Sequence, residues 1–157
     1  MSTMSAITVA IAHPEETTRA ACLRILGPEQ GIQVIAEARS SLDALADAVR
    51  FNPRILLLDI SMSKINGIAL LPTLREKSPQ TKVILLARRP SQARIMEALS
   101  HGAVGYLKGK DIKIFLSKAV RRVDAGEAWV PRKMVAKIVK HLVRLTAPRS
   151  TRKKRPR

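Results

Sequence analysis

Residues 54–59 read Arg54-Ile55-Leu56-Leu57-Leu58-Asp59, four apolar side chains in a row between two charged ones. A run this short and this uniformly apolar reads as a strand buried on both faces, the kind found in parallel sheets covered by helices on each side. The carboxylate of Asp59 then stands at the carboxyl end of its strand, where open α/β sheets hold their ligands.

The flanking sequence supplies the alternation such a sheet needs. Ile7–Ala12, Gln33–Ala38, Lys82–Ala87 and Ala103–Leu107 read as further strands. Between them, helical patterns run over Glu15–Leu26, Ser40–Phe51, Gly67–Lys77 and Pro90–His101, and another covers Asp111–Ala125. Glu15 and Glu16 are favourable at a helix start, a serine at 40 or 41 can cap the second helix, and Pro90 suits an early helical turn. Gly27-Pro28 breaks the first helix. Five strands alternating with five helices predict an α/β, doubly wound five-stranded parallel sheet. Right-handed crossovers put helices on both faces. The expected strand order is 2-1-3-4-5, with the site at the carboxyl ends of strands one and three.

Aromatic residues are only 3% of the 157, so the core must be aliphatic. The lone Cys22 cannot form an internal disulfide and is expected to be a small buried residue, which fits a reducing, cytoplasmic setting. Neither a secretory signal nor a membrane-spanning apolar run is expected. Charge is unevenly placed. Residues 1–107 hold twelve Lys/Arg against nine Asp/Glu, and residues 108–157 hold seventeen against three. Most of the net charge of +17 therefore belongs to the last third, which points to an anionic partner there.

That last third begins with a turn at Gly126–Pro131. An amphipathic linker helix is expected within 129–145, its pattern running from Arg132 to Leu145. Met134, Val135, Ile138, Leu142 and Leu145 form one stripe, and Lys133, Lys137, Lys140, His141 and Arg144 another. Residues 146–157 are basic, have no apolar period and should be disordered alone. Their cations are Arg149, Arg152, Lys153, Lys154, Arg155 and Arg157. Three readings of this tail compete. It binds nucleic acid through phosphates, it docks with the basic helix face on an acidic protein or anionic membrane, or it is a solvated linker.

From Pro53 to Gly67, and again at Gly102-Ala103-Val104-Gly105-Tyr106-Leu107, the chain resembles the receiver domain of bacterial response regulators. Ala125-Gly126-Glu127-Ala128-Trp129 resembles the linker of those regulators that join a receiver to a helix-turn-helix domain. The resemblance makes residues 1–128 a receiver-like domain and Asp59 its phospho-acceptor. It also implies what should surround Asp59: two acids after strand one that help hold magnesium, a Ser or Thr ending strand four, a lysine after strand five, and an aromatic residue on strand five. This sequence carries His13 and Pro14 at the acidic positions, Ala87 at the hydroxyl position and Gly109 between Lys108 and Lys110 at the lysine position. Tyr106 keeps the aromatic, and Ser63 replaces the family's proline after the acceptor loop. Proline offers no ligand atom and imidazole suits magnesium poorly.

The pocket expected from the resemblance is therefore His13, Pro14, Glu15, Ala87, Arg88, Tyr106, Lys108 and Lys110 around Asp59. Asp59 is expected to pair with Lys108, Lys110 or Arg88, a cation standing where magnesium would sit; solvated loop charges are the alternative. The chain reads as a signalling module rather than an enzyme. Its expected partners are a sensor kinase or another regulator, a second copy, or DNA through the basic C-terminus, in the control of transcription. No cofactor and no metal site are expected. Magnesium enters only if Asp59 is a working phospho-acceptor with Glu15 or Glu16 as ligand. His101 and His141 show no metal-ligand spacing with other residues.

Overall fold

The computed structural model describes residues 5–62 and 67–147. Five parallel strands form one sheet: β1 (Ile7–Ala12), β2 (Ile32–Ala38), β3 (Ile55–Asp59), β4 (Lys82–Ala87) and β5 (Gly105–Lys108). The order is β2-β1-β3-β4-β5, as the alternation predicts. Each connection is a helix: α1 (Glu16–Leu26), α2 (Ser41–Phe51), α3 (Gly67–Lys77) and α4 (Gln92–Ser100). Helix α5 (Ile112–Asp124) follows β5, and α6 (Val135–Thr146) ends the described chain.

Every residue of β3 is buried, and alternation along it separates two cores. Leu56 and Leu58 face a cluster with Ala48 of α2, Leu71 of α3 and Ile95 of α4. Ile55 and Leu57 face a second cluster with Cys22 and Leu26 of α1 and Leu116 and Val120 of α5. Cys22 is fully buried, and burial pushes its thiol up to about 11. Register places Ala12 beside Leu58 and Asp59 beside Leu86, so the ends of β1, β3 and β4 open on one edge.

The element ends differ from the sequence reading where side chains or backbone compete. Pro90 lies outside α4. Ser91 accepts a hydrogen bond from the Arg94 N–H at 3.2 Å as the N-cap, so the helix begins at Gln92, two residues later than expected. Ser40 does the same for α2, accepting from the Asp43 N–H at 3.1 Å. The helix expected within 129–145 is helical only from Arg132, through a 3-10 turn at Arg132–Met134. Trp129 is committed to the sheet instead. Its N–H donates to the Val104 carbonyl at 3.0 Å, and its carbonyl accepts from the Tyr106 N–H at 2.8 Å. Gly105 permits this approach, since a Cβ there would stand 3.3 Å from the Trp129 Cβ. No described helix is long and apolar enough to cross a membrane.

Candidate functional site

Asp59 ends β3 and is only 4% exposed, at a cavity of about 270 Å³. The cavity is lined by His13, Thr18, Asp59, Ala87, Gly109 and Lys113, among others. Among the described residues, two groups face the carboxylate. The Ser61 hydroxyl donates to Oδ2 at 3.0 Å. His13 Nε2 lies 3.8 Å from Oδ1.

His13 follows β1 and is itself buried. Its Nδ1 accepts the Glu15 backbone N–H at 3.0 Å, so the neutral ring carries its proton on Nε2, the nitrogen that faces Asp59. Its carbonyl accepts from Arg19 Nη1 at 2.7 Å. Arg19 is 4% exposed, and its Nε lies 3.5 Å from Glu37 Oε1. Burial lowers the His13 pKa below its ordinary value, against the opposing pull of Asp59 and Glu15. The imidazole is thus held neutral, oriented by the first turn of α1 behind it.

Arg88 does not reach Asp59. Its Nη2 donates to both carboxylate oxygens of Glu15, at 3.1 and 2.9 Å, which corrects the expected Asp59 pairing. Coulomb attraction is better satisfied by the carboxylate already at the rim, where neither partner loses its water. Lys108 is half-buried and Lys110 exposed, and neither lines the cavity. Their backbone turns through a 3-10 segment at Gly109–Asp111, which presents Gly109 instead. The lysine that does line the cavity is Lys113, in the first turn of α5. Pro14 and Glu16 are exposed. Ser63 and the tail cations Arg149, Arg152, Lys153, Lys154, Arg155 and Arg157 lie outside the described residues.

The sequence profile of the "Response regulator receiver domain" family matches residues 9–119. The chain belongs to the response-regulator receiver family. It is 29% identical over 139 residues to the transcriptional regulatory protein DegU of Brevibacillus brevis, covering 88% of this chain and 59% of that protein. It is 28% identical over 137 residues to the DNA-binding transcriptional activator DevR/DosR of Mycobacterium tuberculosis, covering 87% of this chain and 63% of that one. The receiver domain of NarL from Mycobacterium tuberculosis superposes with a TM-score of 0.75 at 24% identity, over 78% of this chain and 99% of that domain, which shows the fold.

Receivers of this family are associated with magnesium, and the donors around Asp59 do not suit it. Oδ2 is engaged by Ser61, and His13 stands at Oδ1. Pro14 has no donor, and the Glu15 carboxylate is held by Arg88. A hard divalent cation selects several oxygen ligands, whereas the described side chains here offer one buried carboxylate and an imidazole. Among the described residues, no three His, Cys, Asp or Glu side chains are grouped to hold a metal ion.

The neutral His13 carries a pH prediction. Its folded pKa is lowered, so the unfolded chain binds the extra proton more readily. Stability is then full above the ordinary histidine value of about 6.5 and falls as the pH drops through it toward the folded value. Urea titrations from neutral to mildly acidic pH should show the loss, and His13→Gln should remove part of it.

Tyr106 packs in the receiver core with its hydroxyl buried and without a partner among the described residues. Ala87, beside it in the same cluster, has no group to accept the proton. Burial pushes the phenol up to about 12, with Asp111 adding to the effect. An unpartnered buried hydroxyl costs about 1–3 kcal/mol relative to a partnered one. Tyr106→Phe is therefore expected to be neutral or to stabilise by about 1 kcal/mol, measured as a higher urea midpoint with an unchanged slope.

Proposed function

We infer that the chain is the receiver module of a regulator that signals by protein–protein contact, with little or no phosphorylation of Asp59, in the control of transcription. The observation that carries this is the placement of a neutral, backbone-anchored His13 against Asp59, where the receiver resemblance calls for acids. Ser61 already donates to one of the two carboxylate oxygens of Asp59, and Ala87 has no hydroxyl for a phosphoryl oxygen. DegU and DevR/DosR are described as transcriptional regulators, which supports the cellular role. The chain spans 59% to 63% of the length of these two relatives, so an effector activity is carried over only as part of this proposal. Residues 1–128 form the receiver unit in this reading, 129–145 a linker segment and 146–157 a basic tail. Partners are a sensor kinase or a second regulator.

Incubation with acetyl phosphate and magnesium, followed by intact mass, tests this reading. No adduct is expected under conditions that label an ordinary receiver. An adduct that Asp59→Asn abolishes would overturn it and restore Asp59 as a working phospho-acceptor.

A further inference from the structure

Helix α6 presents two apolar lines, and the receiver covers one. Met134 is buried just before it, Ile138 packs on the same core cluster, and His141 is half-buried. These follow i, i+4, i+7 and form the inner line. Lys137 tethers the helix further by donating to Gln92 Oε1 at the start of α4. One position along, Val135, Val139, Leu142 and Val143 repeat at i, i+4, i+7, i+8 and stand 47%, 52%, 53% and 59% exposed. Lys133, Lys137, Lys140 and Arg144 occupy the remaining side. From Ala128 to Arg157 the sequence holds eleven Lys/Arg and no Asp/Glu.

Each half of this pattern narrows the occupant. Nucleic acid would satisfy the cations but leave the valine and leucine line in water. A second copy would cover the line but leave the lysine and arginine side, which faces away from it, without an anionic partner. An anionic lipid surface takes both halves, with the acyl boundary under the apolar line and headgroup phosphates around Lys and Arg. We propose that α6 is an interfacial anchor. It lies along an anionic bilayer with Val135, Val139, Leu142 and Val143 inserted, and holds the receiver at that surface. At twelve residues it spans about 18 Å, so binding is reversible and needs both the insertion and the charge.

Co-sedimentation of the full chain with vesicles tests the proposal, using phosphatidylcholine alone and phosphatidylcholine mixed with phosphatidylglycerol. The chain should pellet with the anionic vesicles and stay in solution with the neutral ones. Leu142→Gln/Val143→Gln should lower the partition coefficient about tenfold or more, with the circular dichroism of the free protein unchanged. For the unmodified chain, binding should fall steeply as salt approaches about 1 M, because screening removes the charge attraction that insertion alone cannot replace. Absence of binding to anionic vesicles overturns the proposal. Binding that the double variant retains in full, or that does not respond to salt, also overturns it, because the first means that the tail cations alone suffice and the second that charge plays no part. A dimer by light scattering that the double variant converts to monomer, without vesicle binding, assigns the line to a second copy instead.

Discussion

Replacing His13 and Pro14 by aspartates together is expected to raise the labelling of Asp59 by acetyl phosphate, with the added labelling dependent on magnesium. The two positions follow β1 directly, and His13 already stands 3.8 Å from the Asp59 carboxylate. Pro14 is exposed, so a side chain there meets no core atoms. Two added carboxylates supply the oxygen donors a hard cation selects. Charge stabilisation by a bound divalent ion is worth several kcal/mol in phosphoryl transfer, so the labelling rate should rise by about 100-fold or more. The variant loses the Nδ1 acceptor for the Glu15 N–H, but Arg19 bonds the backbone carbonyl at position 13 and keeps its partner. Three carboxylates crowded together repel without a counter-ion. The variant should therefore unfold at lower urea in chelator and recover when magnesium is added. Intact mass over time reads the first effect and urea titration the second. If stability responds to magnesium while labelling does not, the acids were not the limiting loss, and Ala87 becomes the position to restore.

That experiment rests on residues legible from the chain alone, and what was not legible has a physical cause. The run Ile55–Leu58 could only be a strand covered on both sides, so the position of Asp59 followed from local pattern. The alternation of apolar strand runs and helical segments then pointed to a doubly wound parallel sheet, for which the order 2-1-3-4-5 is one of the common arrangements. Partner choice among charges was different. Arg88 follows β4 at a pocket that also holds two carboxylates, and nothing in the spacing says that it takes Glu15 rather than Asp59. Ser61, two residues beyond Asp59, was visible as a polar residue after the strand, but its hydroxyl contact depends on how the chain turns there. Arg19 is a buried cation whose role exists only because α1 lies against the ends of β1 and β2. Lys113 lines the cavity because a 3-10 turn precedes α5, a detail of backbone that residue type does not announce. Trp129 read as part of a turn, and its bonds to the β5 backbone require the small residue at Gly105 on a neighbouring segment.

Leu57→Ala should be among the most damaging single truncations in the receiver, at about 2–5 kcal/mol. Its side chain is fully buried at the centre of the sheet, between α1 and α5, and β3 is flanked by strands on both sides, which limits collapse around the void. A domain of this size has about 5–15 kcal/mol of stability to lose, so the variant should sit close to unfolding at warm temperatures. Leu142→Ala removes the same atoms from a site that is 53% exposed, and the loss should stay within about 0.5 kcal/mol. The pair separates what folds the receiver from what the helix offers outward. Urea titrations at dilute and concentrated protein read both. If Leu142→Ala is as costly as Leu57→Ala, and more costly at high concentration, then the outer line of α6 is covered by a second copy in solution and is not free to meet a lipid surface. If it is silent at every concentration, the apolar line contributes nothing to the fold. Its place opposite a face of lysines and an arginine then calls for a partner beyond the chain.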